Sequence, residues 1–303
     1  MNELKISVII PFYKGDFFYS DLIKSINESI LLCTINSVCF EIITIIDSIE
    51  TTEQNIIDIK SSLLSHVKNL SIVVIKNKEN IGVAASRNKA ILAATGDFFH
   101  VIDQDDAVTK HFYVDAVPLL NSYNFILVNG NVNYLSAKYN SHKIYYLKPN
   151  ITLIGLLKND FIRSPGQVLF SKVLLTDKLF PEPKSYKGAD DRFFWIRLFV
   201  ENNKKIKVHY ISKTNYVANI HNSNYSSDAI NLKLSAIENW EIIRNELNVS
   251  SYNNIILRDI FRLKLSLPGH ISFLNRITGY WAKIIYFLDP NKLIRFFFKR
   301  LKW

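Results

Sequence analysis

Buried strands and amphipathic helices alternate four times along the first part of the chain. Short runs rich in valine, isoleucine and phenylalanine are typical of buried strands, and a segment with helical periodicity follows each of them. The strands are predicted at Ile6–Pro11, Phe40–Ile46, Leu70–Ile75 and Phe98–Ile102. The helices are predicted at Asp16–Leu32, Thr52–His66, Val83–Ala94 and Lys110–Leu120. This order predicts an α/β fold with a mostly parallel central sheet flanked by helices.

The second half of the chain is predicted to have a less regular order of elements. Further strands are predicted at Phe125–Tyr134, with a kink at Asn129-Gly130, at Val168–Phe170 and at Lys207–Ile211. A helix is predicted at Arg192–Glu201, and the chain turns helical from about Ser226. Two residues are expected to end elements of the first half. Pro11 should stop the first strand because it lacks an amide N–H, and Gly96 should cap the third helix.

The composition favours a folded intracellular domain. Hydrophobic residues make up 48% of the 303 residues and charged residues 21%, which is typical of a protein with a large core. The two cysteines, Cys33 and Cys39, predict neither a metal site nor a disulfide framework. The N-terminal residues lack the features of a signal peptide, and no apolar run approaches the length of a membrane span. We therefore expect a cytoplasmic protein.

Polar residues follow each predicted strand of the first half. They are Pro11–Tyr13, Asp47-Ser48, Asn77 and Asp103–Asp106. The carboxyl ends of parallel strands meet at one edge of a sheet, where open α/β folds bind their ligands. Three carboxylates so close together repel each other unless a cation lies between them, and hard oxygen ligands suit Mg²⁺ or Mn²⁺. The alternative for Asp103–Asp106 alone is an acidic surface turn.

Five segments together resemble inverting family 2 glycosyltransferases with the GT-A fold. They are Ser7–Tyr13, Asp47-Ser48, Asn80–Asn88, Gly96-Asp97 and Asp103–Asp106. The chain departs from the family at Asp47, where two acids followed by glycine and serine are common. The resemblance implies a GT-A domain over residues 1–225, with a nucleotide-binding half (1–110) and an acceptor-binding half (111–225). Residues 226–303 would form a helical C-terminal extension with a basic amphipathic tail.

The resemblance also implies roles for residues of the nucleotide-binding half. Asp47 would bind the nucleotide base, and Pro11 and Tyr13 would line the same nucleotide-sugar site. Asp103 would contact the ribose or support the metal, and Asp105 would ligate Mn²⁺ or Mg²⁺. Arg87 is either a contact to the diphosphate or a structural anchor for its helix.

An acidic pair near the predicted second-half helix carries a further expectation. Acids at a helix start cap free N–H groups in any protein, and this is one reading of Asp190 and Asp191. The resemblance assigns the second acid as the catalytic base, which maps onto Asp191. An inverting transfer needs one carboxylate to take the proton of the attacking hydroxyl, on a different element from the metal ligands.

The remaining site candidates are a histidine and a turn. His221 is followed by a polar Asn/Ser segment, as in the family, and is expected to approach the metal or the diphosphate. A lone histidine is more often structural, so that alternative stays open. Gln167, in the turn Ser164–Gln167, and Asp190 are expected to support the loops of the acceptor site.

The C-terminal residues combine a basic face with an aromatic face. On a helical wheel Lys292, Arg295, Lys299 and Lys302 lie opposite Leu293, Ile294, Phe297, Phe298 and Leu301. Such a helix suits an anionic membrane surface, and the alternative is a terminal helix packed on the domain with a solvated basic face. We expect peripheral attachment to the inner face of the cytoplasmic membrane. No nucleic acid is expected as a partner, although the net charge is +10.

The leading hypothesis from the sequence is therefore a metal-dependent inverting glycosyltransferase. The resemblance favours transfer of glucose or galactose from a UDP-sugar to GlcNAc linked to undecaprenyl diphosphate, in bacterial O-antigen or capsule synthesis. One alternative is a sugar nucleotidyltransferase, although Pro11–Gly15 is a poor match to its glycine-rich phosphate loop. Another is a catalytically inactive, membrane-associated partner protein with the same fold.

Overall fold

A computed structural model describes residues 4–33, 38–64, 69–134, 142–144, 149–182, 185–186, 188–221, 228–247 and 249–268. Its strands are β1 (Leu4–Phe12), β2 (Val38–Ile46), β3 (Leu70–Lys76), β4 (Phe98–Val101), β5 (Ala107–Val108), β6 (Phe125–Tyr134), β7 (His142–Ile144), β8 (Val168–Ser171) and β9 (Val208–Ile220). Its helices are α1 (Asp16–Leu32), α2 (Glu53–Leu64), α3 (Val83–Ala93), α4 (Phe112–Ala116), α5 (Leu153–Lys158), α6 (Asp190–Asn202), α7 (Ala229–Glu246) and α8 (Asn253–Leu265).

One central sheet contains all of these strands, in the order β3-β2-β1-β4-β8-β6-β9-β5, with β7 on β6. The first four strands are parallel to one another. Strand β8 then pairs antiparallel with both β4 and β6, whereas β9 runs parallel to β6. The predicted α/β class with a helix-flanked central sheet is confirmed. Helices α7 and α8 confirm a C-terminal helical extension.

Strand β1 lies in the middle of the nucleotide-binding half because both of its faces are apolar. Val8 pairs with Ile42 on one side and His100 on the other, and all three are fully buried. Ile6, Val8, Ile10 and Phe12 pack in one cluster with apolar residues of α1, including Leu22 and Ile26. Near-continuous apolar strands of this kind are typical of parallel sheets that helices cover on both faces.

Pro11 does not stop the first strand, because β1 continues to Phe12 and Pro11 pairs with Ile45. The carbonyl of Ile9 accepts from the amide of Ile102, and the carbonyl of Phe12 accepts from the amide of Asp47. Successive residues of a strand bond alternately to either side, so the missing N–H of Pro11 faces the side where β4 has already ended. A proline is tolerated at such a position.

Gly96 is not the cap of α3, which ends at Ala93 with Ala94 in an extended conformation. Instead the amide of Gly96 donates to Ser7 Oγ at 2.9 Å. A Cβ on Gly96 would lie 2.5 Å from that hydroxyl and 2.8 Å from the amide nitrogen of Ser7. The glycine is therefore required by the close approach of two backbones and not by a helix end.

Several boundaries in the second half differ from the sequence prediction. The predicted helix Lys110–Leu120 is the shorter α4, followed by a 3₁₀ turn that contains Pro118. Helix α6 begins two residues earlier than predicted, at Asp190, and β9 extends to Ile220. The short elements β5 and α5 were not predicted. The predicted kink at Asn129-Gly130 is present as a shift of register between β6 and β9.

The chain divides into two compact units. The first unit is Met1–Phe180 with Phe194–Asn224, and the second is Pro181–Phe193 with Tyr225–Trp303. The first unit ends next to the predicted boundary at residue 225, but Pro181–Phe193 groups with the C-terminal helices. The predicted basic tail falls within residues 269–303, outside the described part of the chain. Among the residues described, no helix is both long and apolar enough to cross a membrane.

Candidate active site

The acids after β4 lie in a tight turn, and each has a different environment. The amide of Asp106 donates to the carbonyl of Asp103 at 3.2 Å, which closes the turn. The carboxylate of Asp106 is buried and accepts hydrogen bonds from the Tyr216 hydroxyl, from Ser164 Oγ at 3.2 Å and from the amide of Asn219 at 3.1 Å. Burial, and then the charges of Asp105 and Asp103, raise the pKa of Asp106 well above 3.8. Asp106 therefore joins three segments of the fold.

Asp105 and His221 are brought together, although 116 positions separate them in the sequence. Asp105 Oδ2 lies 2.9 Å from His221 Nε2, and the two side chains are 17% and 15% exposed. The main-chain oxygen of Asp105 accepts from Asn219 Nδ2 at 2.7 Å, which fixes β9 beside the turn. The ring of Phe18 stacks on His221 with centroids 4.6 Å apart. Burial and the charge of Asp103 raise the pKa of Asp105, and the hydrogen bond to His221 opposes this shift.

Arg87 lies on α3 and forms an ion pair with Asp103 Oδ1. Its guanidinium is buried and also lies 5.2 Å from the centre of the Phe180 ring. The side chain of Asp103 remains 30% exposed. The structure places Arg87 against Asp103 and the Phe180 ring, and both of its proposed roles, a contact to the diphosphate and an anchor for its helix, stay predictions.

Gln104, which the sequence prediction missed, holds the loop after β1. Its Oε1 accepts from the amide of Tyr13 at 2.7 Å, and its Nε2 donates to the carbonyl of Tyr13 at 2.8 Å. The Tyr13 side chain is exposed beside this paired backbone, directly after β1 ends at Phe12. The position of Gln104 between two acids was the one signal in the sequence that could have marked it.

Asp47 is buried at the end of β2 and supports the loop between β3 and α3. Its Oδ1 accepts from Asn77 Nδ2 and from the amide of Ile81, both at 2.9 Å, and its Oδ2 accepts from the amide of Gly82 at 2.8 Å. Gly82 has φ +88°, a conformation that favours glycine. A carboxylate offers about four acceptor positions, so at most about one remains for a nucleotide base.

Gln167 and His100 are buried, and their side chains connect neighbouring segments of the fold. Gln167 accepts from the amide of Arg163 at 2.8 Å and donates to the carbonyl of Val128 at 3.1 Å. His100 Nε2 lies 2.9 Å from the carbonyl of Gly166, which can only accept, so Nε2 carries the proton. Nδ1 then accepts from the Tyr113 hydroxyl at 2.8 Å. Burial lowers the pKa of His100 to about 4, so the ring is neutral and structural, as expected for a histidine with no assigned role.

Asp190 and Asp191 belong to the second unit, where they form the first turn of α6. Asp190 is buried, whereas Asp191 is partly exposed. Asp191 Oδ1 accepts from the amide of Arg192 at 2.8 Å. Negative side chains in the first turn complement the partial positive charge of a helix N-terminus, so both acids suit this location.

The residues around Asp105 fit two ligand positions of a divalent cation. Within the described ranges, no group of three or more histidine, cysteine, aspartate or glutamate side chains is placed to hold a metal. Asp105 and His221 nevertheless offer an oxygen and a nitrogen donor at adjacent positions, beside the second negative charge of Asp103. Cations that bind nucleotides commonly take one or two protein ligands and fill the rest of their coordination with phosphate oxygens and water.

Comparison of the sequence with models of known protein families gives one match over these elements. The model of the Glycosyl transferase family 2 matches residues 7–175, which is more than half of the chain. The chain belongs to glycosyltransferase family 2. The matched range contains the ends of β1, β2 and β4 and the whole of α3, which carry the residues described above. Membership of this family favours the glycosyltransferase hypothesis from the sequence over the sugar nucleotidyltransferase alternative.

Similar proteins from other organisms agree with this assignment. An uncharacterized glycosyltransferase of Rickettsia conorii is 27% identical over 293 residues, covering 86% of this chain and 46% of that protein. WfgD of Escherichia coli, described as a UDP-Glc:alpha-D-GlcNAc-diphosphoundecaprenol beta-1,3-glucosyltransferase, is 24% identical over 204 residues, covering 67% of this chain and 73% of WfgD. The chain spans about half the length of the first curated relatives that it matches.

Solved structures confirm the GT-A type of fold. Residues 1–349 of Staphylococcus aureus TarS in complex with UDP-GlcNAc match with a TM-score of 0.64 and 21% identity, covering 87% of this chain and 73% of that one. The mannosyltransferase PcManGT of Pyrobaculum calidifontis, in complex with GDP-Man and Mn²⁺, matches with a TM-score of 0.57 and 15% identity, covering 95% and 81% of the two chains. At these identities the likeness concerns the fold.

Proposed function

We propose that this family 2 glycosyltransferase moves a hexose, glucose or galactose, from a UDP-sugar to a GlcNAc linked to a lipid diphosphate. The reaction would be metal-dependent and inverting, and its β-linked product would belong to a bacterial O-antigen or capsule repeat unit. The observation that carries the proposal is the pairing of Asp105 with His221 beside the Asp103–Arg87 ion pair. Asp103 and Asp105 follow β4, the last strand of the parallel part of the sheet, and α/β folds bind nucleotides at such strand ends.

The proposed donor site is the polar edge formed by β1, β2 and β4. Pro11 and Tyr13 would line it, and Asp103, oriented by Arg87, would accept hydrogen bonds from the ribose hydroxyls. Asp47 would act chiefly by holding the loop at Ile81-Gly82 and would offer its remaining acceptor position to the base. The complex of TarS with UDP-GlcNAc supports a uridine nucleotide in this type of fold.

Asp105 and His221 would hold Mn²⁺ or Mg²⁺. Such an ion, when bound, neutralises the negative charge that builds up on the leaving diphosphate. The protein residues would supply one oxygen and one nitrogen ligand in a partly buried position, with Phe18 stacked against His221. The neighbour PcManGT, solved with Mn²⁺, supports the use of a divalent cation.

Asp191 would be the catalytic base of a single displacement. It would take the proton of the acceptor hydroxyl while the hydroxyl oxygen forms a bond to the anomeric carbon. The bond from that carbon to the diphosphate oxygen breaks at the same time, and its electron pair leaves with UDP. Attack from the face opposite to the leaving group inverts the configuration, so an α-linked donor gives a β-linked product. Asp190 and Gln167 would support the loops that receive the acceptor.

The proposed acceptor rests on the relationship to WfgD, whose printed activity uses a GlcNAc-diphosphoundecaprenol acceptor. A lipid-linked acceptor requires access to a membrane surface. We propose that the basic amphipathic tail predicted within residues 269–303 supplies this contact on the inner face of the cytoplasmic membrane.

A panel of UDP-sugars tests the proposal with a synthetic GlcNAc-diphosphate-lipid acceptor, with and without Mn²⁺. We expect UDP release and a disaccharide product with UDP-glucose or UDP-galactose, and loss of both when the metal is chelated. The Asp191→Asn variant should bind UDP normally and transfer no sugar. Near-normal turnover by that variant would rule out Asp191 as the base, and transfer from other donors alone would rule out the proposed sugar.

A further inference from the structure

The segment that leads into Asp191 is attached to helix α7 by a carboxylate. Glu238, on α7, accepts hydrogen bonds from the backbone amides of Ser185 and Tyr186. The distances are 3.1 Å and 3.2 Å from Ser185 to the two carboxylate oxygens, and 3.2 Å from Tyr186 to Oε2. A charged acceptor that binds two successive amides restricts the backbone more strongly than one neutral hydrogen bond.

The backbone between this attachment and Asp191 is strained. Gly188 has φ +101°, and Ala189, which has a side chain, has φ +52°. A left-handed conformation costs an alanine about 1–2 kcal/mol, and such residues persist where surrounding contacts impose them. One of these contacts is on α7, where the hydroxyl of Ser235 donates to the carbonyl of Gly188.

The first turn of α6 is attached to helix α8 by a second carboxylate. Asp259 is buried, and its Oδ2 accepts from Arg192 Nη1 and from Trp240 Nε1, both at 3.0 Å. The guanidinium of Arg192 also lies 5.4 Å from the centre of the Trp240 ring. Phe193 packs edge-on against the same ring with centroids 4.8 Å apart. Asp259 and Trp240 thus hold two residues of the α6 turn in a fixed orientation.

We propose that Glu238 and Asp259 are positioning residues for the carboxylate of Asp191. The connection is direct, because the amide of Arg192 donates to Asp191 Oδ1 at 2.8 Å while its side chain is held by Asp259. Glu238 fixes the strained backbone before Asp191, and Asp259 fixes the residue after it. Through these two residues, α7 and α8 would each contribute one contact that orients Asp191. This inference rests on the proposed role of Asp191 as the base.

The first test is the Asp259→Asn variant of the full chain, measured with the acceptor and donor that support transfer. An asparagine keeps an acceptor for Trp240 but loses the charge that holds Arg192. We expect kcat to fall about 10- to 100-fold, because misplacement of a catalytic group by about 1 Å has effects of this size. The KM for the acceptor and the affinity for UDP should stay within about twofold. The acidic limb of the kcat profile should move to higher pH, because the charged form of Asp191 loses a fixed N–H donor.

Two variants separate positioning from general destabilisation. Arg262 pairs with the other oxygen of Asp259 but is 69% exposed, so Arg262→Ala should leave kcat and its pH profile unchanged. Ile256 is fully buried on α8 and makes no polar contact, so Ile256→Ala should lower the melting temperature without moving the pH profile. If either variant reproduced the kinetic effect of Asp259→Asn, the positioning role would be wrong.

A second variant keeps the inference testable if Asp259→Asn does not fold. Glu238→Gln retains one acceptor oxygen and loses the charge that holds two amides, and we expect a smaller loss of kcat with the same shift of the pH profile. Wild-type kcat and pH profile in Glu238→Gln would overturn the inference. Asp191→Asn distinguishes its failure from that of the proposed function: an inactive Asp191→Asn with unchanged positioning variants refutes only the inference, whereas an active one refutes the base itself.

Discussion

Individual side chains around the β4 turn differ in function because their surroundings differ. Asp106 is buried among three hydrogen-bond donors, Asp105 lies against His221, and Asp103 is oriented by Arg87. The sequence shows only a run of similar acids at these positions. Burial and hydrogen-bond partners divide them into one structural residue and two candidates for ligand binding, and these partners lie between 16 and 116 positions away in the sequence.

Asp47 should stabilise the fold through the loop that it holds at Ile81 and Gly82. Asp47→Asn replaces one acceptor oxygen with an NH₂ group. This group would point either at the amide of Gly82 or at the donors of Asn77 and Ile81, none of which can accept a hydrogen bond from it. We expect a loss of about 1–3 kcal/mol in the free energy of unfolding, because buried donors are left without acceptors. Urea denaturation measures this loss. Asp21→Asn, the same substitution at an exposed position of α1, is the control. Equal stability of Asp47→Asn and wild type would contradict the loop-support role.

Lys60, a fully buried lysine on α2, should make the stability of the protein depend on pH. Within the described part of the chain its ammonium donates to the carbonyls of Ile42 and Val73, at 3.3 Å and 3.2 Å, and burial lowers its pKa to about 7. The unfolded chain has the ordinary value of 10.5, so between these two values the unfolded state binds more protons and stability rises with pH. Relative to Lys60→Met, the wild type should gain about 2–3 kcal/mol between pH 7 and pH 9. Urea denaturation at several pH values checks this, and a constant difference would contradict it.

Among the structural elements, those with a strong local signal could be predicted from the sequence. The first four strands and three helices are long, periodic and bounded by turn residues, and all were found. The two-residue β5, the six-residue α5 and the second part of β9 were missed, because short elements depend on partners far along the chain. The Asp105–His221 contact has the same origin, since the pairing of β9 with β6 and β5 brings His221 to the turn. The sequence could mark each residue as a candidate but could not show the contact.

Hydrogen bonds of Ser7 join β1 to β2 and to the segment before β4. Ser7 Oγ accepts from the amide of Gly96 and donates to Glu41, at 2.9 Å and 2.6 Å. Burial of Glu41 would raise its pKa, but hydrogen bonds from Ser7, Thr95 and Lys5 hold that pKa at about 2. Gly96→Ala would push a methyl group into Ser7 and separate these partners.

We expect Gly96→Ala to lower the free energy of unfolding by about 1–3 kcal/mol, since it overpacks a close contact between backbones. Thermal or urea denaturation measures the effect. Ala93→Gly, at the end of α3, is a control in which no such contact changes. An unchanged stability of Gly96→Ala would show that the backbone at the junction can move apart.

In the whole molecule, the residues with proposed roles are distributed over both compact units. The first unit contains the residues proposed to bind the donor and the metal, and the second contains Asp191 and the helices that hold it. The sequence placed Asp190 and Asp191 in the domain that precedes residue 226, because nothing local links them to α7 and α8. Their attachment depends on Glu238, Trp240 and Asp259, which are ordinary helix residues in the sequence.

The central claim is that Asp105, with His221, binds a nucleotide diphosphate through a divalent cation. Isothermal titration of UDP into the full chain, with Mn²⁺ and with chelator, tests it most directly. The wild type should bind UDP at least about tenfold more tightly with Mn²⁺, and Asp105→Asn should lose this gain, as expected when a buried charged ligand is removed. Asp191→Asn should keep it. Equal affinity with and without Mn²⁺, or an undiminished metal effect in Asp105→Asn, would contradict the account.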